Sequence, residues 1–322
     1  MLESRKYNVS NGAGWRLFAK RSIDPEHFNP KLRPVAAVPG YGMNSFIIGF
    51  HPGGQSMEEY LTAAGFEVWT MNLRGQDFTF SENGGRLYGI RDVARVDLPA
   101  ILGHIVETTQ SRRRTIDILG CSLGGTYVFA YAVLNKPNPL GNIVALGAPL
   151  RWEKVHPALR LAFCSPELLG KINMRGTRLL CRIALPLAAK IPGLLHIYLH
   201  PEIVDISQAG ELVKTIEDPN PLLNREIAEW VGRKDLLIDG INISEAFREI
   251  TNPLLCIQAN ADGVVPMATA FSALELASST VKDTLIAGTD EIPMAHADMY
   301  ISRYAQDLVF QPLAEWLLAH QG

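Results

Sequence analysis

A chain of 322 residues is about twice the length of a common domain, so one large domain, or a core carrying an insertion, is expected. With 47% apolar and 20% charged residues it has the composition of a globular protein with a sizeable core, not of a disordered or fibrous chain. Thirty basic against 33 acidic residues leave a net charge of −3, a balance that argues against the basic footprint of a nucleic-acid-binding protein.

The first twenty residues are too polar to hold the apolar core of a secretory leader. A strand hairpin is predicted from Tyr7–Val9 and Trp15–Ala19 around the turn Asn11-Gly12-Ala13-Gly14. Arg33–Val38 reads as a strand ending in Pro39-Gly40-Tyr41-Gly42, and a helix over Met57–Ala64 stops at Gly65. A strand over Phe66–Asn72 and a helix over Asp92–Val106 follow. The basic run Arg112-Arg113-Arg114 reads as a solvated loop. Thr115–Leu119 is a strand running into Gly120, with a helix to about Leu134 and another strand at Asn142–Leu146.

From about residue 150 to 245 the strand rhythm stops, and helical apolar patterns are broken by Pro157, Pro166, Pro186, Pro192, Pro201, Pro219 and Pro221. Strands return at Pro253–Ala259 and Lys282–Ile286, with helices near Ala268–Ala277 and over Met299–Leu318. Alternating strands and helices specify a mostly parallel sheet covered by helices. Here that sheet is expected in two sequence pieces, 1–149 and 246–322, around a helical insertion, 150–245. The longest apolar stretch, roughly 179–199, contains Arg182, Pro186, Lys190 and Pro192, so no transmembrane segment is expected and the expected location is cytoplasmic. Cys121, Cys164, Cys181 and Cys256 lack metal or redox spacing and read as small buried hydrophobes. Neither a metal nor a cofactor is expected.

Gly120-Cys121-Ser122-Leu123-Gly124 matches G-x-S-x-G between an apolar strand and a helix-forming stretch. That setting is what the motif needs, because a sharp strand-to-helix turn lifts the serine hydroxyl clear of the sheet. A serine hydroxyl needs an adjacent base. Of eight histidines, His296 lies between the last strand and the last helix, where a loop can carry it over the sheet edge. The base needs a carboxylate to fix its tautomer. Asp262 follows the strand that restarts after the insertion, whereas Asp290 and Asp298, nearer in sequence, read as loop and helix-start residues. An oxyanion would be met by the Leu123 N–H at the helix start and by the Tyr41 N–H.

On these residues the chain resembles the α/β-hydrolases over almost its whole length. The resemblance implies a mostly parallel central sheet flanked by helices, with an inserted helical cap, and nucleophile, acid and base in the order Ser122, Asp262, His296. Tyr7–Arg21, Leu61–Gly75 and Asp97-Leu98-Pro99-Ala100 resemble segments of the acid (gastric-type) lipase group. Gly120–Thr126 also resembles polyhydroxyalkanoate synthases, which carry Cys where Ser122 stands, and that difference favours hydrolysis. Pro39 occupies the place of a histidine in many lipases.

The resemblance implies that the insertion forms a lid. Residues 151–200 carry eight basic and two acidic residues, and residues 201–245 carry four basic and ten acidic ones. Either the two halves pair or face water, or the basic half meets an anionic amphiphile. Gly42, Met43, Leu161, Phe163, Leu168, Leu169 and Val264 are the expected substrate contacts. The expected substrate is a hydrophobic, lipid-like ester, its acyl group possessing medium chain length. Transfer of the same acyl-enzyme to another acceptor, thioester cleavage, and a non-catalytic binding protein are the alternatives.

Overall fold

The computed structural model describes residues 2–322. The hairpin is longer than the sequence suggests: β1 (Glu3–Ser10) pairs antiparallel with β2 (Trp15–Ile23). Asn11 shapes its turn, the Oδ1 accepting the N–H groups of Ala13 and Trp15 at 2.8 and 3.1 Å. The other strands in chain order are β3 (Val35–Val38), β4 (Val68–Asn72), β5 (Phe80–Ser81), β6 (Ile116–Cys121) and β7 (Leu140–Leu146). Then come β8 (Leu237–Ile238), β9 (Ile241–Asn242), β10 (Leu254–Ala259) and β11 (Lys282–Ala287). Among the described residues nine of these form one sheet in the order β1-β2-β4-β3-β6-β7-β10-β11, with the short β5 also on β2. Every pairing from β4 to β11 is parallel.

Alternate residues of the central strands feed two different cores. Ala36 and Val38 pack with Ile101 and Ile105 of the helix Leu98–Thr108, and with Val128 of the helix Leu123–Leu134. Val35 and Ala37 face the opposite way, toward Met57 and Leu61 of the helix Met57–Ala63 and toward Leu313 and Leu317 of the helix Gln311–Ala319. Burial on both faces is why these strands read as unbroken apolar runs. The helix Met57–Ala63 starts on a capping box, the Ser56 N–H donating to Glu59 Oε2 at 2.8 Å and the Glu59 N–H to Ser56 Oγ at 3.3 Å. Such a cap contributes ~1 kcal/mol.

Three local expectations are corrected. The last helix is not continuous over Met299–Leu318: it breaks after Ile301 and resumes at Gln306. There the Arg303 N–H donates to the Ile203 carbonyl at 2.9 Å and Ser302 bridges Val204, so part of the backbone pairs with another segment. Segment 150–245 is not strandless, since β8 and β9 form a ribbon around Asp239 and Gly240, both at positive φ. An Asp-Gly pair between apolar residues is a hairpin signal already present in the sequence. Among the cysteines, Cys121 and Cys256 are buried, but Cys164 is exposed.

Between β7 and β10 the helices Pro157–Ala162, Pro166–Leu169 and Pro221–Arg233 each open on a proline, whose missing N–H is harmless in a first turn. The helix Thr177–Ala188 carries Pro186 near its end. The acidic half is the buried one: Leu223, Ile227 and Trp230 join the core over β3 and β6. The halves meet at Arg178, which reaches Glu217 at 3.1 Å and Asp77 at 3.3 Å. Asp218 accepts the N–H groups of Gly176 and Thr177 at 3.0 and 2.8 Å. No helix among the described residues is long and apolar enough to cross a membrane.

Candidate active site

β6 runs straight into Ser122, which sits at φ 52° and ψ −123° before the helix begins at Leu123. This is a region that L-residues rarely occupy. The Ser122 N–H donates to the Leu146 carbonyl at 2.8 Å, and the Gly125 N–H donates back to the Ser122 carbonyl at 2.9 Å. The surrounding glycines are required by space. A Cβ on Gly120 would strike the Gly125 Cα, one on Gly125 would strike the Ala148 Cβ, and one on Gly124 would strike the Val38 and Pro39 carbonyls. Gly124→Ala is therefore expected to lower stability by ~1–3 kcal/mol, read as a lower melting temperature. The neighbouring Cys121 is fully buried, and burial pushes its thiol up to about 12, so it presents no thiolate.

The loop after β3 abuts this turn. A Cβ on Gly40 would lie 3.0 Å from the Ser122 Cβ and 2.7 Å from the Cys121 carbonyl. The Tyr41 phenol donates to Asn224 Oδ1 at 2.7 Å, its ring meets Phe163 edge-on at 6.3 Å, and burial pushes the phenol up to about 12. The ring thus anchors the loop to the helix Pro221–Arg233, while the Tyr41 N–H has no acceptor among the described residues. Gly42 takes φ 61° and accepts the Glu217 N–H at 2.8 Å, and Met43 is buried and bridges Ile216.

Asp262 and His296 come from the ends of the adjacent parallel strands β10 and β11. Their loops are tied by the Ala261 N–H to the Met294 carbonyl and by the Met294 N–H to Asn260 Oδ1, both at 2.9 Å. His296 Nδ1 lies 2.6 Å from Asp262 Oδ2, with side-chain exposures of 4% and 0%. The other oxygen, Oδ1, accepts the N–H groups of Val264 and Val265 at 2.7 and 2.9 Å, which orients the carboxylate. The His296 ring rests on Gly147, where a Cβ would come within 2.8 Å of its Cε1. Gly147 follows Leu146, the residue that accepts the Ser122 N–H, so the ring lies over the strand end beside the serine. Ser122 Oγ makes no hydrogen bond among the described residues.

Asp290 is exposed. Asp298 is buried and accepts from the Ala295 N–H and pairs with His200 Nδ1, both at 2.7 Å. Burial is the largest influence on the Asp298 carboxyl and raises it above the usual range. It braces the loop that bears His296 from behind.

The expected substrate contacts are scattered. Phe163 packs on Tyr41, Leu169 and Val264 are half-buried, and Leu161 and Leu168 are 76% and 58% exposed. Instead, an apolar cavity of about 250 Å³ opens beside His296, between Tyr198, Ala297, Ile301, Leu185, Leu212 and Ile216. The Tyr198 ring centroid is 6.1 Å from that of His296, and Ile216 is the bridge partner of Met43. The sequence signal for this wall was Cys181, Ala184, Leu185 and Ala188, at helical spacing on one face.

A largely parallel sheet with a strained serine at a strand-to-helix turn is the architecture of the α/β-hydrolases, and the chain is a hydrolase of that superfamily. The pattern of the family described as serine aminopeptidase, S33, matches residues 54–288, more than half of the chain, and the chain belongs to that family. A 2-hydroxy-6-oxo-6-phenylhexa-2,4-dienoate hydrolase from a Rhodococcus species superposes with a TM-score of 0.65 at 16% identity, covering 99% of this chain and 100% of that one. An esterase from Exiguobacterium antarcticum gives 0.63 at 14% identity over 97% and 98% of the two chains. A monoacylglycerol lipase from Paleococcus ferrophilus gives 0.59 at 16% identity over 99% of each. Likeness at such identities speaks for the fold alone. No curated protein matches in sequence.

Proposed function

We propose that the protein is a serine hydrolase that cleaves carboxylic esters of hydrophobic acyl groups through an acyl-enzyme on Ser122. The observation that carries this reading is the buried Asp262–His296 pair held over the strand end next to a strained serine. In this mechanism Ser122 Oγ attacks the ester carbonyl carbon while His296 Nε2 takes the hydroxyl proton. Asp262 keeps the ring's other proton on Nδ1 and stabilises the imidazolium that forms. The oxyanion is met by the N–H groups of Leu123 and Tyr41. The alcohol departs with the proton from His296, and water, activated by the same ring, attacks the acyl-enzyme.

Residues up to 149 and from 246 onward are assigned to the core, and 150–245 to a cap. The resemblance of Leu61–Gly75 to the acid-lipase group supports an ester with an apolar acyl part. So does the cavity beside His296, which suits an acyl chain more than a peptide. Initial rates on aryl esters should therefore rise from acetyl toward medium chain length. A maximum at acetyl with none left at octanoyl would overturn the acyl-chain assignment. Ala188→Phe, which narrows the cavity, should lower kcat/KM for octanoyl esters about tenfold or more and leave acetyl esters unchanged. Octanoyl and acetyl esters affected equally, or neither affected, would place the acyl chain elsewhere.

A further inference from the structure

The helix Thr177–Ala188 is apolar on two sides. Cys181, Ala184, Leu185 and Ala188 line the cavity beside His296. Leu179, Leu180, Ile183 and Leu187 form a second face that is 60–65% exposed, and Ile191 and Leu194 extend it. A helix on a water-facing surface ordinarily has one apolar stripe, turned inward. Residues 168–201, about a tenth of the chain, hold ten of the nineteen large hydrophobic side chains that are exposed among the described residues. Single exposed leucines are common, but a continuous patch of them marks a binding surface.

The charge that this segment itself carries has one sign. Residues 168–201 contain no Asp or Glu and five basic residues, Lys171, Arg175, Arg178, Arg182 and Lys190. Arg178 is taken by Asp77 and Glu217. The other four are exposed and have no ion pair among the described residues.

We propose that this face docks on an anionic lipid bilayer, with the helix lying in the plane of the surface. Its outer leucines and isoleucines enter the headgroup–acyl boundary, and Lys171, Arg175, Arg182 and Lys190 meet lipid phosphates. An apolar helix face flanked by Lys and Arg, on a segment with no acidic residue of its own, matches such a surface. A second copy matches it less well, because a two-fold contact would set the same four cations against themselves, and the segment has no carboxylate of its own to offset them. The docking is peripheral: twelve residues of helix span only ~18 Å. It is independent of the catalytic reading, since binding is measured without substrate.

The test is flotation of the whole chain with vesicles of phosphatidylcholine, either pure or containing about a third phosphatidylglycerol. Binding should be roughly tenfold or more stronger on the anionic vesicles and should weaken with added salt. Ile183→Glu with Leu187→Glu should abolish flotation. Arg182→Gln with Lys190→Gln, which leaves the apolar face intact, should remove the anionic preference while circular dichroism stays that of the parent chain. Absence of flotation on both vesicles, or unchanged binding by the Gln pair, overturns the proposal. So does a dimer in sedimentation equilibrium that the Glu pair dissociates while vesicles go unbound, which would assign the face to a second copy.

Discussion

Ser122→Ala is expected to abolish labelling by a fluorophosphonate and to lower kcat by about 10⁶, the scale of losing a nucleophile that works as a unit with its base. No neighbour can stand in for it, because the adjacent Cys121 thiol is fully buried and held protonated by that burial. The fold should survive, since the turn is held by backbone hydrogen bonds to Leu146 and Gly125 and by the glycine contacts around it, none of which uses Oγ. The substitution keeps the Cβ, and therefore keeps the backbone strain at φ 52°. Ser122→Gly removes it, so the Gly variant should melt above the Ala variant by the equivalent of ~1–3 kcal/mol while being just as inactive. Turnover retained in Ser122→Ala would mean that another group is the nucleophile. Equal melting of the two variants would mean that the turn stores no strain.

Asp262→Asn should cost about 10⁴ in kcat with little change in global structure. The carboxylate is oriented by the Val264 and Val265 N–H groups through one oxygen and meets His296 Nδ1 at 2.6 Å through the other. An amide turned with its NH2 toward the ring forces the proton onto Nε2, the nitrogen that accepts the serine proton in the proposed mechanism. The two nearer acids make the comparison decisive. Asp290→Asn, at an exposed position, should leave the rate near that of the parent enzyme. Asp298→Asn should act first on stability, because that buried carboxylate holds His200 and the Ala295 N–H. A larger rate loss from Asp290→Asn than from Asp262→Asn would move the acid assignment.

Much of this is legible in the sequence, for local reasons. The apolar run into Gly120, the glycine spacing around Ser122 and the helix-forming residues after it constrain one short turn, whose geometry depends on neighbours in the chain. Asp262 and His296 could be picked out as candidates because each follows a strand, and strand ends on one side of a parallel sheet converge. That they lie 2.6 Å apart is a product of the β10–β11 register and of the ties between Asn260, Ala261 and Met294. The Asp239-Gly240 ribbon is also legible as an Asp-Gly hairpin signal, within a segment whose apolar pattern is mainly helical.

What periodicity cannot say is which apolar surface another part of the chain will cover. Leu161 and Leu168 look like lid walls in the sequence yet are exposed, while Leu185 and Ala188 face the cavity. The break after Ile301 follows from pairing with residues about a hundred positions earlier, a long-range choice with no local signature. The sheet, the strained turn at Ser122 and the candidates near it are legible in the residues alone, because they rest on local conformational preference and alternating burial. Where the apolar cavity beside His296 lies, and which side of the helix Thr177–Ala188 is left bare, depend on the tertiary fold, because burial is settled by distant partners.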